Sequence, residues 1–269
     1  MNNPTAFFLE GTAGRLFCTG SISDEAAGPG RSVVILPPFA DEMNKSRHVL
    51  AAVVRALGSA GHNVLMPDLY GTGDSEGDFG DATLDIWRSD IDTTIERLSP
   101  HGTVDIVGLR AGALFAVDAA LRYRVGSLVL INPLLDGKQL LNQTFRLHLA
   151  SALKGGGRGG TITKLKQRLV AGEVLEIGGY PMTWQLVHEL EELSLYGMTT
   201  NDVDRIHWVD LSVRANRVGV TAGQGVRDTW VEAGIPVSVT HADCEEFWST
   251  QELAPCPGMV QAVTRCLSR

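Results

Sequence analysis

The segment Thr103-Val104-Asp105-Ile106-Val107-Gly108-Leu109-Arg110-Ala111-Gly112 places a guanidinium where the pattern around it calls for a nucleophile. An apolar strand runs into a Gly-x-Xaa-x-Gly turn, and residues 111–121 read as an Ala-rich helix. Enzymes that use this strand–turn–helix corner present an attacking side chain on it. Arg110 stays protonated, carries five N–H donors and has no lone pair to attack with, so it cannot serve covalent catalysis. The scaffold for nucleophilic attack is present without the nucleophile.

Such a turn has to be held by a parallel sheet, and the rest of the chain supplies one. Residues 32–37 are a continuous apolar run closed by Pro37-Pro38, as expected of a strand buried on both faces. Val49, Leu50, Val53, Val54 and Leu57 recur at helical spacing within 47–60, and Gly61 stops the helix. Strand 63–67 feeds a turn-rich loop over 68–77, helix 85–98 follows, and 127–132 is a further buried strand beyond the elbow. Apolar strands joined by helices predict right-handed crossovers, hence an α/β fold with a doubly wound, mostly parallel sheet.

The alternation breaks between 136 and 205. Residues 138–154 and 183–195 read as amphipathic helices, with a Gly-rich hinge at 154–160 between them. The expected organisation is a core of 1–135 and 206–269 with a helical lid, 136–205, over the C-terminal strand ends, where open α/β sheets bind ligands. Strand 206–211, helix 225–232, strand 235–240 and helix 258–267 complete the core.

Four strings narrow the reading: Leu36-Pro-Pro-Phe-Ala-Asp-Glu-Met-Asn-Lys-Ser-Arg47, Pro67-Asp-Leu-Tyr-Gly-Thr-Gly-Asp-Ser-Glu-Gly77, Gly172-Glu-Val-Leu-Glu-Ile-Gly-Gly-Tyr180 and Glu246-Phe-Trp248. Together they resemble the exosortase A system-associated hydrolases, in particular hydrolase 2, of the α/β-hydrolase superfamily. The resemblance spans nearly the whole chain. It implies an α/β-hydrolase fold and an association with bacterial gene sets for protein sorting and exopolysaccharide production, without a defined reaction.

It also implies roles for particular positions. Phe39 and Ala40 follow the strand that supplies one oxyanion-hole amide, and Ala111, directly after the elbow residue, would supply the other. Two such donors at a helix N-terminus form an anion-binding nest whatever residue occupies the elbow. Asp210, at the end of its strand, and His241, after the last strand, fall where a triad acid and base belong. A lone His after a strand is more often a solvated loop residue, and Thr240-His241-Ala242-Asp243 lacks the glycines that commonly accompany a catalytic His here. Asp41 and Glu42 lie on the loop facing the elbow. A buried guanidinium needs a carboxylate, so Glu42 is expected to pair with Arg110, with Lys45 and Arg47 close by.

Other candidates are weaker. Gly71-x-Gly73 before Ser75 lacks the third Gly of a dinucleotide fingerprint. Cys244, three residues after His241, reads as an unreactive thiol, and the four cysteines, with no Cys-x-x-Cys pair, read as reduced packing residues. No pattern calls for a metal or a cofactor. A net charge of -8 argues against nucleic acid or an anionic membrane as the main partner, since either needs a basic face, although a local anion site remains compatible. The first residues lack a signal peptide's pattern and no stretch reaches the roughly 18 apolar residues of a membrane span, so a cytoplasmic protein is expected.

Two functions fit these residues. One is hydrolysis or transfer of an ester or thioester acyl group, small or carrier-bound, with His241 or Glu42 activating water or a substrate nucleophile. The other is a pseudohydrolase that captures an anionic ligand or partner at Arg110 under the lid.

Overall fold

The computed structural model of the chain describes residues 4–22, 32–154, 160–199, 201–213, 223–250 and 252–268. Six strands come first: β1 (Thr5–Glu10), β2 (Arg15–Ser21), β3 (Ser32–Leu36), β4 (Asn63–Pro67), β5 (Val104–Leu109) and β6 (Val125–Ile131). A short hairpin, β7 (Leu175–Ile177) and β8 (Tyr180–Met182), precedes β9 (Val203–Ser212) and β10 (Val237–Asp243). The main sheet runs β1-β2-β4-β3-β5-β6-β9-β10. Its six strands from β4 to β10 pair in parallel, and β1 and β2 form an antiparallel edge.

Burial on both faces explains why the central strands read as unbroken apolar runs. Along β3, Val34 and Leu36 enter one core, while Val33 and Ile35 enter the other. The second core is closed by α1 (Asp41–Ser59) and α8 (Pro257–Leu267), whose Val49, Val53 and Met259 lie within it. The first is closed by α2 (Leu84–Leu98), α3 (Ala111–Ala120), α7 (Gln224–Glu232) and the elements between β6 and β9. Those elements are α4 (Gly137–Lys154), α5 (Ile162–Val170), the β7–β8 hairpin and α6 (Trp184–Glu191). Within the hinge expected at 154–160, residues 155–159 lie outside the described residues.

Several expectations need correction. The sequence reading lacks the antiparallel edge: in β1 only Phe7 and Leu9 are half-buried, and Thr5, Ala6, Phe8 and Glu10 are exposed, so the apolar Ala6 and Phe8 on the outer face hide the period. Helix α1 starts six residues before the expected 47, which moves Asp41 and Glu42 from a loop onto its first turn, where acids complement the helix dipole. Strand β10 runs through His241 to Asp243, so His241 is a strand residue and does not follow the strand. Cys244 and Cys256 form a disulfide, with Cα atoms 5.6 Å apart, and are not reduced thiols; Cys18 and Cys266 are free.

Candidate functional site

The elbow forms where β5 ends and α3 begins. Arg110 caps α3 with φ 55° and ψ -115°, a conformation that a non-glycine residue adopts at a cost of about 1–3 kcal/mol. The flanking glycines allow the corner to close. A Cβ on Gly112 would stand 2.1 Å from the Leu36 carbonyl oxygen, and one on Gly108 would stand 2.5 Å from the Gly112 carbonyl oxygen. The backbone therefore needs both glycines, while the side chain between them is set by what surrounds it.

That side chain is enclosed by charge and aromatic surface. Arg110 donates through Nε to Glu42 Oε2 at 3.3 Å and through Nη2 to Glu42 Oε1 at 3.2 Å, a side-on pair. Its Nη2 also donates to Gln143 Oε1 of α4 at 2.9 Å, and Nη1 reaches the Asn132 carbonyl at 3.5 Å. The guanidinium carbon lies 5.3 Å from the centre of the Trp248 ring, a cation–π contact. The Arg110 and Glu42 side chains are 15% and 23% exposed, so the pair is largely withdrawn from water. Burial raises the Glu42 carboxyl above its ordinary range, and the attraction and hydrogen bonds of Arg110 pull it back only in part.

Facing the elbow, Ala40 repeats the strained corner at the start of α1, with φ 53° and ψ -127°. Neither the Ala40 nor the Ala111 amide donates to a protein acceptor among the described residues. Phe39 turns its ring into the core beside Phe79 and Trp87. A cavity of about 20 Å³ lies behind Ala40, lined by Pro37, Met43, Leu69 and Phe115 among others, with room for about one water.

The acid and base positions are together but not joined. Asp210 on β9 is opposite His241 on β10, and His241 Nδ1 stands 3.7 Å from Asp210 Oδ2, beyond a hydrogen bond. Asp210 Oδ1 instead accepts from Trp208 Nε1 at 2.7 Å, and Oδ2 is buried without a hydrogen bond. Two strands, β6 and β9, separate β10 from the elbow strand. The loop after β10, which follows His241, sends Trp248 to Arg110.

Asn132, Gln143 and Trp248 were missed as site residues. Asn132, at φ 40°, extends the pairing of β6 with β9 by one step, its side-chain oxygen accepting from the Leu211 amide at 2.5 Å. Trp248 stood out only within the Glu246-Phe-Trp248 string, and nothing in the helix pattern marks Gln143. Asp41 pairs with Lys45 at 2.7 Å, and Arg47 with Asp68 at 2.8 Å, so neither cation joins Arg110's ion pair. Ser75 is structural: its hydroxyl donates to the Asp68 carbonyl and accepts from the Phe17 amide.

Solved structures align over almost all of the chain. Est1E from Butyrivibrio proteoclasticus with ferulic acid bound aligns with a TM-score of 0.62 at 16% identity, covering 97% of this chain and 96% of that one. The alpha/beta hydrolase domain-containing protein 10 from mouse aligns at 0.59 and 14% identity, covering 98% of each. The chain has the α/β-hydrolase fold. The thioesterase domain from the curacin biosynthetic pathway shares it at 0.59 and 15% identity over 99% of each chain. No family model and no curated protein matches the sequence. Among the described residues no helix is long and apolar enough to cross a membrane, and no cluster of His, Cys, Asp and Glu could hold a metal ion.

Proposed function

We propose that this α/β-hydrolase-fold protein uses the elbow to bind an anionic acyl ligand, free or carrier-bound, and does not form an acyl-enzyme. The observation that carries the reading is the Arg110 pair itself. The elbow aims a permanent cation at the place where a nucleophile would attack, and Glu42 neutralises it from the facing helix. A carboxylate or phosphate on the ligand would take over Glu42's contacts to Nε and Nη2. Because burial raises the Glu42 carboxyl, a Glu42 displaced from Arg110 would take up a proton more readily than an exposed carboxylate and so leave less stranded charge. The amides of Ala40 and Ala111 would add two donors to the same anion, and the elements 137–191 would act as the lid, with Gln143 on α4 closing over the guanidinium.

Glu42 favours a second reading, hydrolysis or acyl transfer, since a buried carboxyl with a raised pKa is suited to take a proton from water. His241 would contribute only after a movement that brings it to the elbow. Activity toward p-nitrophenyl esters and acyl-thioesters, compared among wild type, Arg110→Ala, Glu42→Gln and His241→Ala, separates the two. Binding without turnover, lost in Arg110→Ala, supports the first reading; turnover lost in Glu42→Gln or His241→Ala supports the second.

A further inference from the structure

The acidity of the chain is not spread evenly. Helices α4 and α5 carry six of its 23 Lys and Arg and none of its 31 Asp and Glu. Lys166 and Arg168 are matched by Glu191 and Glu173 from neighbouring elements. The side chains of Lys138, Arg146 and Lys164 have no acidic partner among the described residues, and all three residues are exposed. Interleaved with these cations are large apolar side chains in water: Leu147 is 67% exposed, Leu153 58%, Val170 60% and Val174 58%. The inward faces are already occupied, by Leu141 and Phe145 on α4 and by Leu165 and Leu169 on α5. His148, next to Leu147, lines one cavity with Arg168, Val174 and the acidic Glu176, so the two helices and the chain entering β7 meet there.

Exposed leucines and valines set among unpaired cations on two amphipathic helices match an anionic lipid surface, which takes apolar side chains below its headgroups and cations at their level. We infer that the outer edge of α4 and α5, around Arg146, Leu147, Lys164 and Val170, docks on anionic membrane. The whole-chain charge of -8 opposes such contact everywhere else and so orients the molecule with this edge toward the bilayer. Helix α4 also delivers Gln143 to Arg110, so the docking edge and the cover of the elbow belong to one helix. The inference rests on surface chemistry and stands independently of the proposed ligand.

Flotation of the full chain with vesicles tests it, using phosphatidylglycerol and phosphatidylcholine at 3:7 against phosphatidylcholine alone, in low and high salt. The wild type is expected to float with the anionic vesicles, at least tenfold more weakly with the neutral ones, and less as salt rises. Arg146→Glu with Lys164→Glu, and separately Leu147→Ser with Val170→Ser, should each cut binding at least tenfold while circular dichroism stays unchanged. Absence of flotation, or equal flotation by the charge-reversed variant, overturns the inference. Binding indifferent to Leu147→Ser and Val170→Ser would also overturn it, pointing to a soluble acidic partner. Concentration-dependent self-association abolished by those same serines would assign the edge to a second copy of the chain instead.

Discussion

Replacing Arg110 by Met keeps much of the side chain's length and removes its charge. Glu42 loses its cation, Gln143 Oε1 and the Asn132 carbonyl lose a donor, and Trp248 loses the charge over its ring. Breaking a fully buried pair costs about 3–5 kcal/mol, whereas an exposed pair is worth about 1 kcal/mol or less. With the two side chains 15% and 23% exposed, a loss of about 2–3 kcal/mol at pH 8 is expected. The pH dependence identifies the cause. Burial raises the Glu42 carboxyl and Arg110 lowers it, so without the guanidinium the carboxyl rises further. A carboxyl raised in the folded state gives stability that is complete below its unfolded pKa and is lost as pH rises through its folded one. The deficit of Arg110→Met should therefore be smallest near pH 4 and grow toward pH 8. Adding Glu42→Gln should recover about 1–2 kcal/mol, because no charge is then left unpaired. Urea titrations followed by tryptophan fluorescence measure all three proteins. A deficit under about 0.5 kcal/mol that is flat with pH, or a double variant no more stable than Arg110→Met, would refute the reasoning.

Three further outcomes can be checked. Gly112→Ala drives a methyl into the Leu36 carbonyl, 2.1 Å from the added carbon, and should cost about 2–3 kcal/mol in urea unfolding or leave the chain insoluble. Burial raises the Asp90 carboxyl to about 6, so the stability it contributes is complete below its unfolded pKa and lost as pH passes about 6. Relative to Asp90→Asn, the wild type should therefore lose about 3 kcal/mol between pH 3.5 and 7.5, and equal pH profiles would contradict this. Fluorophosphonate probes should leave the wild type unlabelled at pH 7.5, as judged by intact mass, since the elbow offers no hydroxyl; stoichiometric labelling would reveal an activated serine elsewhere.

What the sequence disclosed follows from where physical constraints are local. The elbow was legible because strand, glycines and helix lie within ten residues and each has its own pattern, and Glu42 because a buried Arg110 demands a carboxylate from the nearest acidic segment. The central strands β3 to β6 were legible because burial on both faces leaves them almost wholly apolar. The edge strand β1 was not, since four of its six residues are exposed, none is buried and its partner is set by the fold. His241 was misplaced relative to β10 because the polar residues from Thr240 to Asp243 resemble a loop while continuing the ladder with β9. The Cys244–Cys256 bond spans twelve residues without a short motif, and only the path of the loop after β10 brings the two together. Gln143 and Trp248 reach Arg110 from elements distant in sequence, a meeting that no local pattern encodes.

Titration calorimetry of decanoate into wild type, Arg110→Met and Glu42→Gln bears most directly on the elbow as an anion site. The expected result is binding by the wild type that weakens with salt, falls at least tenfold in Arg110→Met and tightens in Glu42→Gln, where the competing charge is gone. Equal affinities in all three proteins, or no binding by any of them, would contradict a ligand held by Arg110.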